Sequence, residues 1–225
     1  MLKGISELSN IKKEYYERSA TGEILCDGVF LEHIGNTEAT LTYEDGEEVN
    51  ESIVGSPEKD DDYWHKQSES NSCAIVCQEF IAEQLLGKEF SEAELANLAK
   101  AKGWYSSAEG TSKNDIGNVL ETLGLDVEKS QNLTLEDLAN ELDSNGKIIC
   151  TINSTVLENP AYGNLKGIKS DHAVQVIGID YSNPNKVEVI LNDPGRENGQ
   201  GLHIDAEVFT KAWDAGNNFA IIARK

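Results

Sequence analysis

The sequence predicts an α+β fold, a helical half followed by an antiparallel sheet. Two observations carry this. Apolar residues recur at helical spacing from Cys73 to about Leu142, then switch to short Val- and Ile-rich runs from Lys147 onward. A glycine-rich phosphate loop is absent throughout, which excludes a doubly wound nucleotide-binding fold.

The first 60 or so residues differ from the rest. "ISELSNIKKEYYERSATG" reads as a short helix ending near Gly22, and "GVFLEHIG" and "EATLTYEDGEEVNESIVG" as weak strands, the second turning at Glu44-Asp45-Gly46. "SPEKDDDYW" has the composition of a linker or surface segment. The expected organisation is an acidic appendage of unknown role over 1–60 and a main domain over 61–225.

Four helices are expected in the first half of the main domain. "CAIVCQEFIAEQLLG" places Ile75, Val76 and Phe80 inward and stops at Gly87. "SEAELANLAKAKG" opens with a capping box, Ser91 and Glu94, and stops at Gly103. "GTSKNDIGNVLETLG" reads as a third helix capped by Thr111 or Ser112, with Ile116, Val119, Leu120 and Leu123 inward and Gly124 as stop. "LTLEDLANELDSNG" is the fourth, capped by Thr134.

Strands follow at "KIICTIN" (147–153), "HAVQVIGID" (172–180), "KVEVILND" (186–193) and "NFAIIAR" (218–224). Asn183-Pro184-Asn185 turns the second into the third as a hairpin, and Asp205 caps a helix over "HIDAEVFTKAWDAG".

Composition sets the function classes. With 40 acidic and 19 basic residues the net charge is −21, which repels nucleic acid and anionic membrane surfaces. No apolar run reaches the ~18 residues of a membrane span, and the N-terminus lacks the apolar core of a secretory signal, so a cytosol is the default compartment. Cys26, Cys73, Cys77 and Cys150 match neither a disulfide framework nor a zinc motif. The "ENGQG" loop from Glu197 and the Asp60–Asp62 run lack the ligand spacing of a calcium loop. Neither a metal nor an organic cofactor is expected.

The chemistry centres on "KQSESNSCAIVCQEF", residues 66–80. Cys73 opens a helix, whose N-terminal partial charge favours a thiolate. A thiolate needs a proton-handling partner. Of His33, His65, His172 and His203, only His172 begins an apolar strand after a polar loop. If residues 172–180 and 186–193 pair around the 183–185 turn, Asn192 and Asp193 arrive beside His172, where either would orient the ring. Gln67, six residues before Cys73, supplies an amide to an oxyanion together with the Cys73 N–H. His65 reads as a surface or substrate-groove residue.

This ordered set, Gln67, Cys73, Cys77, "HAVQVIGID" from His172, "VILNDPG" through Asp193 and "FTKAW" from Phe209, resembles the papain-like cysteine peptidases, and within them the bacteriocin-leader (double-glycine) peptidases and their stand-alone relatives. The resemblance spans about Trp64 to Lys225. It implies a papain-like fold, with the nucleophile's helix packed on the C-terminal sheet. It also implies a Cys73–His172–Asp193 triad, Gln67 at the oxyanion, a structural Cys77, and a peptide or protein substrate. It favours Asp193 over Asn192 for the third role. Cys73 lies between Ser72 and Ala74, where leader peptidases carry Asp and Gly, and no transporter domain follows. The papain-like arrangement is therefore implied more strongly than double-glycine cleavage. Deamidation or acyl transfer at a protein side-chain amide, and an inert binding module, are the alternatives within the same fold. An autoinhibitory role for residues 1–60 is a further one.

Overall fold

The computed structural model describes residues 52–164 and 167–225, together with two two-residue strands nearer the N-terminus. The chain divides into two compact units, Met1–Ile53 and Val54–Lys225. In the first, β1 (Phe30–Leu31) pairs antiparallel with β2 (Leu41–Thr42). The expected helix ending near Gly22 and the turn at 44–46 lie outside the described residues, as do Cys26 and His33.

The second unit is built on a seven-stranded sheet in the order β10-β9-β8-β7-β11-β6, with β3 (Ile53–Gly55) also paired to β8. Its strands are β6 (Asp126–Ser130), β7 (Lys147–Ile152), β8 (His172–Asp180), β9 (Glu188–Asn192), β10 (Leu202–Asp205) and β11 (Ala220–Arg224). The pairs along the main path are antiparallel. β6 was not expected, because "DVEKS" is too polar to read as a strand; it is the last strand on its side, paired only to β11.

The helices are α1 (Pro57–Asp60), α2 (Cys73–Leu86), α3 (Glu92–Lys102), α4 (Asn118–Thr122), α5 (Leu135–Asp143), α6 (Ser154–Glu158) and α7 (Ala206–Asp214). The charge run that reads as a linker is α1 and a following 3-10 turn. Its Asp60 is buried against Lys147, and its backbone carbonyl accepts from Gln84 and Asn192. Burial raises the Asp60 carboxyl, and Lys147 pulls it back.

Helix α2 is the centre of the unit. Ala74 through Ala82 are all buried, so the helix is enclosed on every side rather than amphipathic. Cys77, Ile81, Ile149, Ala173 and Ile221 join it to one face of the sheet. Alternation along β7 sends Ile148, Cys150 and Ile152 to the opposite face. Gly87 and Gly103 close α2 and α3 in the left-handed region, as expected, and Ser91 accepts from the Glu94 N–H. Thr134 and Asp137 form a full capping box at α5, and Asp205 caps α7 through the Glu207 and Val208 N–H groups.

The third helix is shorter than its periodicity suggests. Gly110–Thr111 is β5, paired with β4 (Tyr105–Ser106), and α4 starts only at Asn118. Gly117 has φ 97°, which breaks the helix there. The N–H groups of Gly117 and Val119 are received by the buried Gln78 side chain of α2, at 2.9 and 3.3 Å. That cap comes from another helix, so no local signal announces it.

Candidate active site

Three segments converge at the start of α2: the loop before it, the start of β8 and the end of β9. Cys73 is the first residue of α2, and its N-cap Ser72 makes no side-chain cap; the Ser72 hydroxyl donates instead to the Glu69 carbonyl, 2.9 Å. The Cys73 N–H is left without a partner among the described residues. The loop is held from outside. Glu92, in the first turn of α3, accepts from the N–H groups of Ser68 (2.8 Å) and Glu69 (3.3 Å). Asn71 donates to the carbonyls of Ser107 and Ala108.

His172 opens β8, and its Nε2 lies 2.6 Å from Asp193 Oδ1. The hairpin delivers this contact. Gln175 pairs with Asn192, so Asp193 continues past the end of β9 toward the start of β8. Successive residues point to opposite faces, and Asn192 is committed elsewhere, donating to Asp60 O at 2.8 Å and accepting from the Gly201 N–H at 3.2 Å. Geometry thus separates the two neighbours. Asp193 faces the imidazole, and Asn192 fastens the sheet to α1.

The Asp193 carboxylate is 1% exposed and fully engaged. Oδ1 accepts from His172 and from the Gly195 N–H (2.9 Å), and Oδ2 from Arg196 Nε (3.0 Å). Its backbone carbonyl accepts from Trp64 Nε1 (2.8 Å), and its N–H donates to Gly199 O (2.8 Å). Burial raises its carboxyl, but the hydrogen bonds and charges of His172 and Arg196 with the Gly195 N–H bring it below the usual carboxylate range.

The other ring nitrogen of His172 is left for the thiol, and Cys73 and His172 line one cavity, where each shifts the titration of the other. Burial pushes the Cys73 thiol up; the hydrogen bond and charge of His172, aided by Ala173 and Ala74, outweigh it and leave the thiol below its ordinary value. Burial likewise disfavours the charged form of His172, but Asp193 and Cys73 raise it to about 10. Thiolate and imidazolium therefore stabilise each other. Cys77 and Cys150 behave oppositely. Both are fully buried and pushed well above the ordinary thiol range, and Cys77 donates to Ala173 O at 3.5 Å.

Gln67 lines the same cavity as His172 and Asp193. Its main-chain N–H donates to Pro194 O (2.9 Å), and its side-chain Nε2 donates to Glu69 O (2.6 Å). One of the two amide N–H bonds remains for another acceptor. His65, read as a surface or groove residue, lines neither cavity at the site. Its Nε2 is 3.3 Å from Glu79 Oε2, and its ring meets Phe80 edge-on at 5.3 Å. Burial raises Glu79 to about 7 despite that histidine.

Sequence reasoning missed Gly195 and Arg196, although both sit in the "NDPGR" run just past the strand. At Gly195 a Cβ would lie 2.8 Å from His172 Cε1 and 3.1 Å from Nε2. The backbone passes over the imidazole, and only glycine fits. Gly195→Ala is expected to displace the ring and lower kcat about 10- to 100-fold while the fold persists. Steady-state kinetics beside a circular dichroism spectrum check this.

Among the described residues one cluster has the makings of a metal site, Asp180, Glu188 and His203. It lies at the far end of the β8–β9 hairpin from His172, and Glu188 is already paired with Lys186 at 2.6 Å.

Comparison with known proteins identifies the family and the fold. A family model described as papain-like cysteine protease AvrRpt2 matches residues 57–210. No curated protein matches the chain. Among solved structures, the fold is similar to a putative C39-like peptidase from Bacillus anthracis (TM-score 0.57, 12% identity, covering 77% of this chain and 98% of that one). Two further similar structures are the peptidase domain of Streptococcus ComA, a bi-functional ABC transporter involved in quorum sensing (TM-score 0.46, 18% identity, 72% and 98%), and a double glycine motif protease from an AMS/PCAT transporter in complex with the leader peptide (TM-score 0.49, 12% identity, 72% and 91%). With well over half of its length matched by that model, the chain belongs to the papain-like cysteine protease AvrRpt2 family.

Proposed function

We propose that the protein hydrolyses a peptide bond in a peptide or protein substrate through Cys73, His172 and Asp193, with Gln67 at the oxyanion. The observation that carries this reading is a cysteine at a helix N-terminus that shares one cavity with His172, whose Nε2 lies 2.6 Å from a buried carboxylate. The Cys73 thiolate attacks the carbonyl carbon, and the π electrons move to oxygen. That oxygen accepts from the Cys73 N–H and the second N–H of Gln67. Imidazolium His172 gives its proton to the leaving amine as the C–N bond breaks, leaving a thioester. His172 then takes a proton from water, hydroxide adds to the thioester, and the thiolate departs. Asp193 holds the ring in place and stabilises its charge throughout. No step calls for a metal or an organic cofactor.

A mixed-sequence peptide library, read by mass spectrometry for new termini, tests the proposal. Cleavage by the native protein and none by Cys73→Ala is the expected result. Ammonia release with intact chains would instead assign deamidation, since both reactions pass through the same thioester. Neither product would leave a binding module.

A further inference from the structure

Two cavities flank the Cys73–His172 pair, and they differ in which partner they touch. The larger, about 560 Å³, is lined by Gln67, His172 and Asp193 but not by Cys73. The smaller, about 230 Å³, is lined by Cys73, Ala74 and His172 but not by Gln67. In the reaction above, the acyl half stays bonded to sulfur while the amine leaves with the proton of His172. The smaller cavity therefore holds the acyl half, and the larger one the leaving half.

The smaller cavity opens at the surface and is lined largely by polar residues. Thr111 and Thr151 both line it, and the hydroxyl of each is buried without a hydrogen-bond partner. Thr151 is only 4% exposed and sits on β7 opposite Ala173. An unpaired buried hydroxyl is destabilising, and each of these becomes available to a ligand by a turn of its side chain toward the cavity. Lys113 supplies a third donor. Its ammonium lies 4.4 Å from the centre of the Phe219 ring and donates to Gly216 O at 2.8 Å, which leaves two of its three N–H bonds. Among the described residues no carboxylate lies within 4.0 Å of it. The two nearby acids do not reverse the balance. Asp171 is bound to the Ser154 N–H and hydroxyl, and Glu109 is exposed at the rim. Ile116 and Ala173 add apolar wall.

We propose that this cavity is a specificity pocket for an acyl-side residue whose side chain ends in a carbonyl oxygen, a carboxamide or a carboxylate. The Lys113 ammonium donates to that oxygen, the Thr111 and Thr151 hydroxyls add to it on turning toward the cavity, and Ile116 and Ala173 pack on its short stem. The inference rests on the peptidase reading and adds the substrate class to it.

Peptidyl acyloxymethyl ketones that differ only in the residues preceding the ketone test the pocket, because they alkylate Cys73 without needing turnover. The second-order rate at Cys73 is measured for probes bearing Asn, Gln, Asp, Glu, Leu or Phe at each of those positions. The expected result is a rate about tenfold or more higher for an acceptor side chain than for Leu or Phe at one position. The Asn/Gln and Asp/Glu arms separate amide from acid. Thr111→Val with Thr151→Val should abolish that preference. This isosteric exchange removes unpaired hydroxyls, so the melting temperature should hold or rise. Lys113→Met provides an independent variant should the double exchange fail to fold. Leu or Phe probes reacting as fast as the others would overturn the pocket, and so would failure of every probe while iodoacetamide still labels Cys73 rapidly. Slow iodoacetamide labelling of Cys73 in the native protein would remove the peptidase reading and the pocket together.

Discussion

His172→Ala is expected to lower peptide turnover by about 10³-fold or more and to move Cys73 labelling to higher pH. The two effects share one cause. In the native site burial raises the Cys73 thiol, and the neighbouring imidazolium, aided by the backbone of Ala173 and Ala74, brings it below its ordinary value. His172 holds its proton up to about 10, because Asp193 and the thiolate stabilise the cation. Between the lowered thiol and that alkaline limit the pair is thiolate–imidazolium. The rate should rise as pH increases through the thiol's depressed value and fall again near the imidazole's. Removal of the ring leaves the burial and takes away the charge. The thiol is then expected to titrate well above its native value. Iodoacetamide labelling from pH 5 to 9, read at each cysteine by peptide mass spectrometry, measures this. An unchanged labelling profile in the variant would assign the thiolate's stability to the helix N-terminus and the neighbouring backbone.

The elements legible in the sequence were those whose causes are local. β8 begins and ends where the apolar run "HAVQVIGID" does, buried on both faces, and the caps at Ser91, Thr134 and Asp205 each satisfy N–H groups two or three residues away. The approach of Asp193 to His172 was legible because the hairpin joins neighbouring strands, although a bulge between Val176 and Gly178 shifts the final register by one residue. What was not legible depends on partners distant in the chain. α4 starts where Gln78 of α2 can receive its N–H groups, and the charge run at 57–63 is structured because Asp60 meets Lys147. The loop carrying Gln67 is shaped by Glu92 and by Pro194, and its amide is turned partly onto Glu69. A single sequence shows the residue types at the site but not the contacts that aim them.

Exchanges at Asp193 separate two jobs of that carboxylate. Asp193→Ala removes the acceptor for the His172 ring, leaves Arg196 with only Glu158 at 3.7 Å, and unfastens the Gly195 N–H. Turnover is expected to fall about 10³-fold or more, with lower stability, because a buried cation loses its partner. Asp193→Asn keeps the shape and one oxygen. An imidazolium carries protons on both nitrogens, so an amide oxygen can still accept from Nε2. The tautomer problem of a neutral histidine does not arise. The amide nitrogen, however, would then face Arg196 Nε, donor against donor, where the carboxylate now accepts at 3.0 Å. A loss of about 10- to 100-fold is expected for Asn, much milder than for Ala, since one charge-assisted contact is lost and the orienting bond is kept. The pH profile carries the sharper test. Asp193 is among the groups that raise His172 to about 10, so loss of its charge should move the alkaline limb to lower pH in both variants. An alkaline limb that stays in place with Asn would mean that Asp193 orients the ring without stabilising its charge. Equal losses for Asn and Ala would mean that the charge, rather than the hydrogen bond, does the work.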